Sequence, residues 1–242
     1  MKLVPLKSPL IQPGDDLVPI LLESLANAKL RLNDGDVVVI AGKVIAYSQN
    51  RLRTVSTPGE FRAVVDEEAD QVVGKGAMRL TIKNSILIPN AGVDHSNAPK
   101  AQVVLWPQDP FGAARTLRAQ LMTHFGLAEL GVLVIDSHCV PLRMGTVGIA
   151  LGFAGFRGVS DQRTKKDLYG KPMKYTQIAV ADNLACAANV LMGETNESTP
   201  FVVIQNAPVQ MTDQVFTQAD YAIEPKDCIF SELYSNFGDK MV

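Results

Sequence analysis

Cysteine, histidine and tryptophan are scarce in this chain: three, three and one among 242 residues. Cys139, Cys186 and Cys228 are odd in number, far apart and never in a Cys-x-x-Cys pair. That excludes a disulfide framework and leaves no zinc-binding spacing. No apolar run approaches the ~18 residues a membrane span requires. The opening Met1-Lys-Leu-Val-Pro-Leu-Lys-Ser-Pro lacks the apolar stretch of a secretory leader and reads as an edge strand. The expected address is therefore the cytoplasm, with no membrane partner. The formal net charge is −2, and basic residues are scattered apart from a short knot at Arg163–Lys166, so there is no electrostatic footprint for nucleic acid. Nor is there a GxGxxG or Walker A pattern, since Gly74-Lys75-Gly76 lacks both the spacing and the hydroxyl.

What remains is an ordinary globular composition, 47% hydrophobic and 20% charged, without repeats, linkers or low-complexity tracts, so residues 1–242 are expected to form one cooperative unit. Asp15-Asp16 followed by Leu17, Pro19, Ile20, Leu21 and Leu25 predicts a capped amphipathic helix. Asp36 to Ala46 reads as a buried strand interrupted by Gly42 and Lys43; the lysine is either a strand-end residue reaching for water or a phosphate ligand. Glu60 to Lys75 has helical spacing, with Asp66, Glu67, Glu68 and Asp70 on a solvated face. Strands are expected near Met78–Ile82, Ser85–Ile88, Ala101–Trp106, Gly131–Ile135 and Phe201–Ile204. Helices are expected from Asp109-Pro110 to Phe125, stopped by Gly126, and from about Gln177 to Met192. The glycines between Gly145 and Gly158 imply close backbone approach to another segment or a ligand. The tail, through Phe230 and Tyr234, reads as ordinary packing.

Three apolar elements run into oxygen-rich polar clusters: Asp94 with Asn97, Asp136 with Ser137, and Glu194 with Thr195, Asn196 and Ser198. Asp136 and Ser137 are expected at the carboxyl end of the strand Gly131–Ile135, where open α/β sheets place ligand sites. Taken singly, each cluster is a common turn, with Asp136 capping whatever follows it. If they converge, the carboxylates and the hydroxyl suit one or two hard divalent cations, Mg²⁺ or Mn²⁺, that keep waters and take substrate phosphates as further ligands. His95 and His138 flank two of the acids, but without a third nitrogen or sulfur at fixed spacing they read as supporting or solvated residues.

In order along the chain, Asn-Ala-Gly-Val-Asp94-His-Ser-Asn97, Ile-Asp136-Ser137 with Arg143 and Gly145, Asp167-Leu-Tyr-Gly and Asn-Val-Leu-Met-Gly-Glu194 resemble the motifs of the coenzyme F420-0:γ-glutamyl ligase family. Ser8-Pro9-Leu10-Ile11, Gly14-Asp-Asp16 and the Lys43 segment fit the same pattern, which covers nearly the whole chain. The resemblance implies an α+β fold with a large mixed β-sheet, packed helices and two interleaved lobes, assembled as a homodimer. It also implies a GTP-dependent ligase: GTP phosphorylates an acceptor carboxylate, and the amine of L-glutamate displaces phosphate from the acyl phosphate. By motif position Asp94 and Asp136 are the catalytic acids. They would hold metal together with Ser137 and Glu194, two ions per site. Ser8, Pro9, Leu10, Ile11, Lys43, Asn97, Met192, Gly193, Glu194, Thr195, Asn196, Glu197, Ser198 and Thr199 would contact the nucleotide, and Arg143 the substrate.

The chain departs from the family at basic positions. A second lysine usual four residues after Lys43 is Tyr47 here, and Cys139-Val140 replaces a Gly-Arg pair. Fewer cations alter how a phosphodiester such as F420-0 is held. A related subgroup is assigned to folate, whose pterin carries no phosphate, so both acceptors stand open. A metal-dependent phosphohydrolase or a non-catalytic nucleotide-binding module could use the same acids and are the rivals from other classes.

Overall fold

Lys2–Leu6 (β1) is an edge strand of the main sheet, and the chain leaves it for the helix Leu17–Asn27 (α1). Asp16 caps that helix by accepting a hydrogen bond from the Val18 amide, and Leu17, Leu21 and Leu25 form its buried stripe, each contributing about 2 kcal/mol by removal from water. There follow Val37–Ala41 (β2), Gly42–Ser48 (α2), Leu52–Thr54 (β3), Pro58–Glu68 (α3), Gln71–Val72 (β4), Leu80–Lys83 (β5), Ile86–Pro89 (β6) and Gln102–Val104 (β7). The second half runs Pro110–Phe125 (α4), Gly131–Cys139 (β8), Thr146–Ala154 (β9), Val159–Asp161 (β10), Gln177–Ala179 (β11), Val180–Met192 (α5), Phe201–Gln205 (β12) and Gln218–Tyr221 (α6). The computed structural model describes residues 1–74, 76 and 78–232.

The main sheet has the order β1-β12-β2-β8-β9, with β2 and β8 parallel and every other pair antiparallel, so the mixed sheet and the α+β class are as expected. Alternation in its strands divides the core. Val38, Ile40, Val132, Val134, Phe201 and Val203 face α1, α2 and α4. Val37, Val39, Leu133, Ile135, Val202 and Ile204 face α5. The glycines of β9 serve this packing: a Cβ on Gly148 would lie 2.3 Å from the Ala185 carbonyl oxygen in α5, and one on Gly152 would lie 2.6 Å from the Phe111 amide in α4. Close approach to a neighbouring segment is thus the role they play. Residues between β3 and β7 form two smaller antiparallel sheets, β3-β7 and β4-β5-β6, with α3 over a core of Val55, Val64, Val65, Val103 and Leu105.

Several expected boundaries differ. The strand through Lys43 ends at Ala41, and Lys43 stands in the first turn of α2. The helix expected to reach Lys75 ends at Glu68, because the chain turns there into the β4–β5 pairing; Lys75 itself lies outside the described residues. Its acids are paired rather than merely solvated: Asp66 with Arg79, Glu67 with Arg53, and Glu68 with both Arg51 and Lys83. Helix α5 starts at Val180, since Gln177–Ala179 pairs with β10. In the tail, Phe216 and Tyr221 pack on Phe153, whereas Phe230 is half exposed and Tyr234 lies outside the described residues. Among the described residues no helix is long and apolar enough to cross a membrane.

Candidate active site

The three oxygen-rich clusters meet. Asp94, Asp136, Ser137 and Glu194 line one cavity of about 380 Å³, together with Ser8–Ile11, Lys43, Asn97 and Met192–Thr199. Every residue expected to touch metal or nucleotide is therefore on its wall. Arg143 is not: it sits exposed in the β8–β9 connection, outside the lining. The Asp167-Leu-Tyr-Gly segment is likewise remote, a tight turn in which the Asp167 carboxylate accepts from the Tyr169 and Lys171 amides while Leu168 and Tyr169 face solvent.

Asp136 and Ser137 do not end their strand, contrary to the expectation. β8 continues to Cys139 because β9 pairs with it past a bulge at Val134/Ile135. Only the parallel partner stops there, at Ala41 opposite Ile135, and its departure into α2 opens the space beside Asp136. The Asp136 carboxylate accepts from the Trp106 indole at 2.5 Å and from the Ser137 amide at 2.8 Å. Burial pushes its pKa up to about 6; the Trp106 bond, the Ser137 amide and the Lys43 charge counter only part of that.

Asp94 is held differently. Its pKa is drawn below the usual carboxylate range: burial works upward, but bonds from Lys43 and Ser96 and the Lys43 charge outweigh it. Lys43 lies 2.6 Å from the Asp94 carboxylate, 2.9 Å from the Ser96 carbonyl and 2.7 Å from the Ser96 hydroxyl. All three ammonium protons are thereby engaged, so a phosphate gains a hydrogen bond from Lys43 only by displacing one of these acceptors. The Ser96 hydroxyl also donates to Asp94. Gly92 sets the approach of this loop: it adopts φ +71°, and a Cβ there would fall 2.3 Å from the Trp106 indole nitrogen.

Glu194 accepts from Asn189 at 2.9 Å and Thr146 at 3.2 Å, which ties the end of α5 to the start of β9. His95 is exposed and stacks on Phe61 at 4.7 Å, and His138 lies in β8 with its Nδ1 enclosed and unpartnered, its pKa lowered by burial. Residues missed by the sequence reading are Trp106, Ser96 and Asn189. Ser96 and Asn189 both lie inside motifs that carry the family resemblance, whereas nothing local marks Trp106.

The donor set suits a hard cation. Among the described residues no three His, Cys, Asp or Glu side chains gather as a ready-made cage. Two carboxylates, a hydroxyl and a further glutamate on one wall are instead what Mg²⁺ or Mn²⁺ needs when waters and phosphates complete the shell. A buried carboxylate titrating near 6 is also a negative charge short of a counter-ion.

Comparison with known proteins identifies the family. The family model described as F420-0:gamma-glutamyl ligase matches residues 5–206. The coenzyme F420:L-glutamate ligase of Methanopyrus kandleri is 34% identical over 213 residues, 81% of this chain and 82% of that protein. Those of Methanothermobacter thermautotrophicus and Archaeoglobus fulgidus are 31% and 33% identical over 218 residues, 83% of this chain in each case and 86% and 85% of theirs. With the family model matching residues 5–206 and relatives above 30% identity covered over more than four fifths of their length, the chain belongs to the F420-0:γ-glutamyl ligase family.

Proposed function

We propose that this chain joins the amine of L-glutamate to the carboxylate of an acceptor, coenzyme F420-0, at the expense of GTP and through an acyl phosphate. The observation that supports the reading is the convergence of Asp94, Asp136, Ser137 and Glu194 on the cavity that Ser8–Ile11 and Met192–Thr199 enclose. A carboxylate is a poor electrophile, and phosphorylation gives it a leaving group. Asp94, Asp136, Ser137 and Glu194 would hold two Mg²⁺ or Mn²⁺ ions, which when bound offset charge on the phosphates.

The chain's own residues do the rest. Pro9, Leu10, Ile11, Val44 and Met192 give the cavity an apolar wall that limits water near an acyl phosphate. Lys43 holds Asp94 and Ser96 in place. Asn97 and the Thr195–Thr199 loop line the cavity and would face the nucleotide there. We place the enzyme in the cytoplasm as a homodimer.

One observation favours keeping folate as a second acceptor. Tyr47 supplies no cation where the family carries a lysine, and Lys43 is already saturated by Asp94 and Ser96. A phosphodiester tail is then less firmly held than in relatives with two lysines. The test is mass spectrometry of products from GTP or ATP, Mn²⁺ or Mg²⁺ and L-glutamate, with F420-0 or tetrahydrofolate. The expected result is a gain of one glutamyl mass on F420-0, matched by phosphate release. Gain on tetrahydrofolate alone moves the assignment to folate. Phosphate release that needs no acceptor overturns the ligase in favour of a phosphohydrolase.

A further inference from the structure

The wall of the cavity consists of segments far apart in the chain, and hydrogen bonds cross between them at few points. The Tyr47 hydroxyl, on α2, donates to the Asn97 carbonyl at 2.7 Å. The Asn97 side-chain amide donates in turn to the Thr195 carbonyl at 2.9 Å, on the opposite rim. Beyond Thr195 the path continues: its amide and hydroxyl donate to the Glu197 carboxylate, Lys7 donates to the Glu197 carbonyl at 3.2 Å, and the Ser8 amide donates to the Ser198 carbonyl at 3.0 Å.

Tyr47 is the anchored end of this path. Its ring is packed in the core under α2, only 9% exposed, with Ile45, Ala46 and Trp106 in the same cluster. The later members lie nearer the surface: Asn97 and Thr195 are exposed and Glu197 is half-buried. Asn97 and Ser198 both hold left-handed backbone, φ 52° and 51°; asparagine adopts it readily, whereas for serine it is kept by the surroundings. A core-anchored hydroxyl thus fixes a surface loop, and that loop fixes a second one across the cavity.

We infer that Tyr47 is a positioning residue whose hydroxyl, acting through Asn97, latches the Thr195–Thr199 loop across the mouth of the cavity and so sets affinity for the nucleotide. The inference rests on the reading that nucleotide occupies this cavity. It also gives a specific role to the side chain that stands where the family carries a lysine: Tyr47 supplies a donor to the protein's own backbone instead of a charge to the ligand. Tyr47→Phe isolates that role, because the ring and its core packing remain and only the hydroxyl leaves.

Two measurements separate the latch from the nucleotide reading. The first is amide hydrogen exchange without nucleotide, comparing Tyr47→Phe with the parent chain. Exchange in the 193–199 segment should quicken roughly fivefold or more, as for the loss of one hydrogen bond worth about 1 kcal/mol. Unchanged exchange there overturns the latch whatever the cavity binds. The second is calorimetric titration with GTP and Mg²⁺. Kd should weaken roughly five- to tenfold in Tyr47→Phe, and in turnover the loss should appear in KM for GTP far more than in kcat. Asn97→Gly keeps the left-handed backbone and removes the amide, so the double variant should be no weaker than Asn97→Gly alone. Additive losses, or equal GTP affinity in Tyr47→Phe and parent, count against the inference. If the parent itself binds no GTP, the nucleotide reading fails and the exchange result still decides the latch.

Discussion

The indole of Trp106 donates to the Asp136 carboxylate at 2.5 Å, joining the segment after β7 to the middle of β8, where Asp136 lines the cavity. Because Trp106 is the chain's only tryptophan, its emission reports on this one acid. Titration with Mn²⁺ and GTP should quench that emission to a plateau, since a paramagnetic ion bound by Asp136 lies close to the ring. In Asp136→Ala the plateau should vanish along with amide formation, while the circular dichroism spectrum stays that of the parent. Saturable quenching that survives in Asp136→Ala would remove Asp136 from the metal site.

A second expectation concerns pH. The Asp136 pKa is raised to about 6 from 3.8. For a raised carboxyl the folded state is favoured fully below the unfolded value, and that contribution is lost as pH climbs through the folded value. A shift of this size corresponds to about 3 kcal/mol; because the residue keeps a partial opening to the cavity, water screens some of it and about 1–3 kcal/mol is expected. In chelator, Asp136→Asn should therefore melt roughly 3–8 °C above the parent at pH 7 and level with it at pH 4. Added Mg²⁺ should stabilise the parent at pH 7 and leave the variant unmoved. Identical melting of the two proteins in chelator at both pH values would show that Asp136 carries no such burden.

How far these features could be read beforehand differs by element, for physical reasons. Helix α4 was legible at both ends because its stop signals are local: Asp109 caps the Gly112 amide, and Gly126 takes the left-handed turn at φ 68°. The change at Gly42 was not, since the apolar run Val37–Ala46 continues through it and no side chain caps α2. The extension of β8 past Asp136 depends on pairing with β9, a partner no local pattern announces. Within the site, the acids were visible as polar clusters after apolar runs. Trp106 was not, and Tyr47 stood out only as a missing lysine, because a buried donor becomes functional only through the distant acceptor that the fold sets against it.

Lys43 carries a third expectation. Its ammonium lowers the Asp94 pKa by hydrogen bond and by charge, against burial that works upward. In Lys43→Met, burial is left with only the Ser96 bonds opposing it, so the Asp94 pKa rises. Mn²⁺ binding by Lys43→Met, followed through Trp106 emission, should then fall off at higher pH on the acid side than in the parent. At pH 8, where Asp94 is ionised in both, the difference should shrink. An acid limb that does not move would mean that Lys43 does not govern Asp94.

The last expectation lies beneath the site rather than in it. Glu68, at the end of α3, pairs with Lys83 of β5 and with Arg51 at 2.7 Å, and Arg51 donates onward to the Trp106 carbonyl at 3.2 Å. The Lys83 side chain is 9% exposed and that of Glu68 14%. Removing one partner leaves the other as a buried, unpaired charge, which costs about 3–5 kcal/mol. Glu68→Ala should accordingly lower the thermal midpoint by roughly 8–15 °C. Glu68→Ala with Lys83→Met should recover most of that loss, because no buried charge is then stranded, while Arg51 still reaches solvent. The sign with pH is opposite to that of Asp136. Burial raises the Glu68 pKa, but Lys83 and Arg51 together bring it below the ordinary value, so its contribution is present above pH 4.5 and is lost as pH falls through the lowered pKa. The parent should therefore lose stability on acidification more steeply than the double variant. Equal acid limbs in a melting series from pH 7 to pH 3 would mean that the pair packs β5 against α3 without stabilising that packing electrostatically.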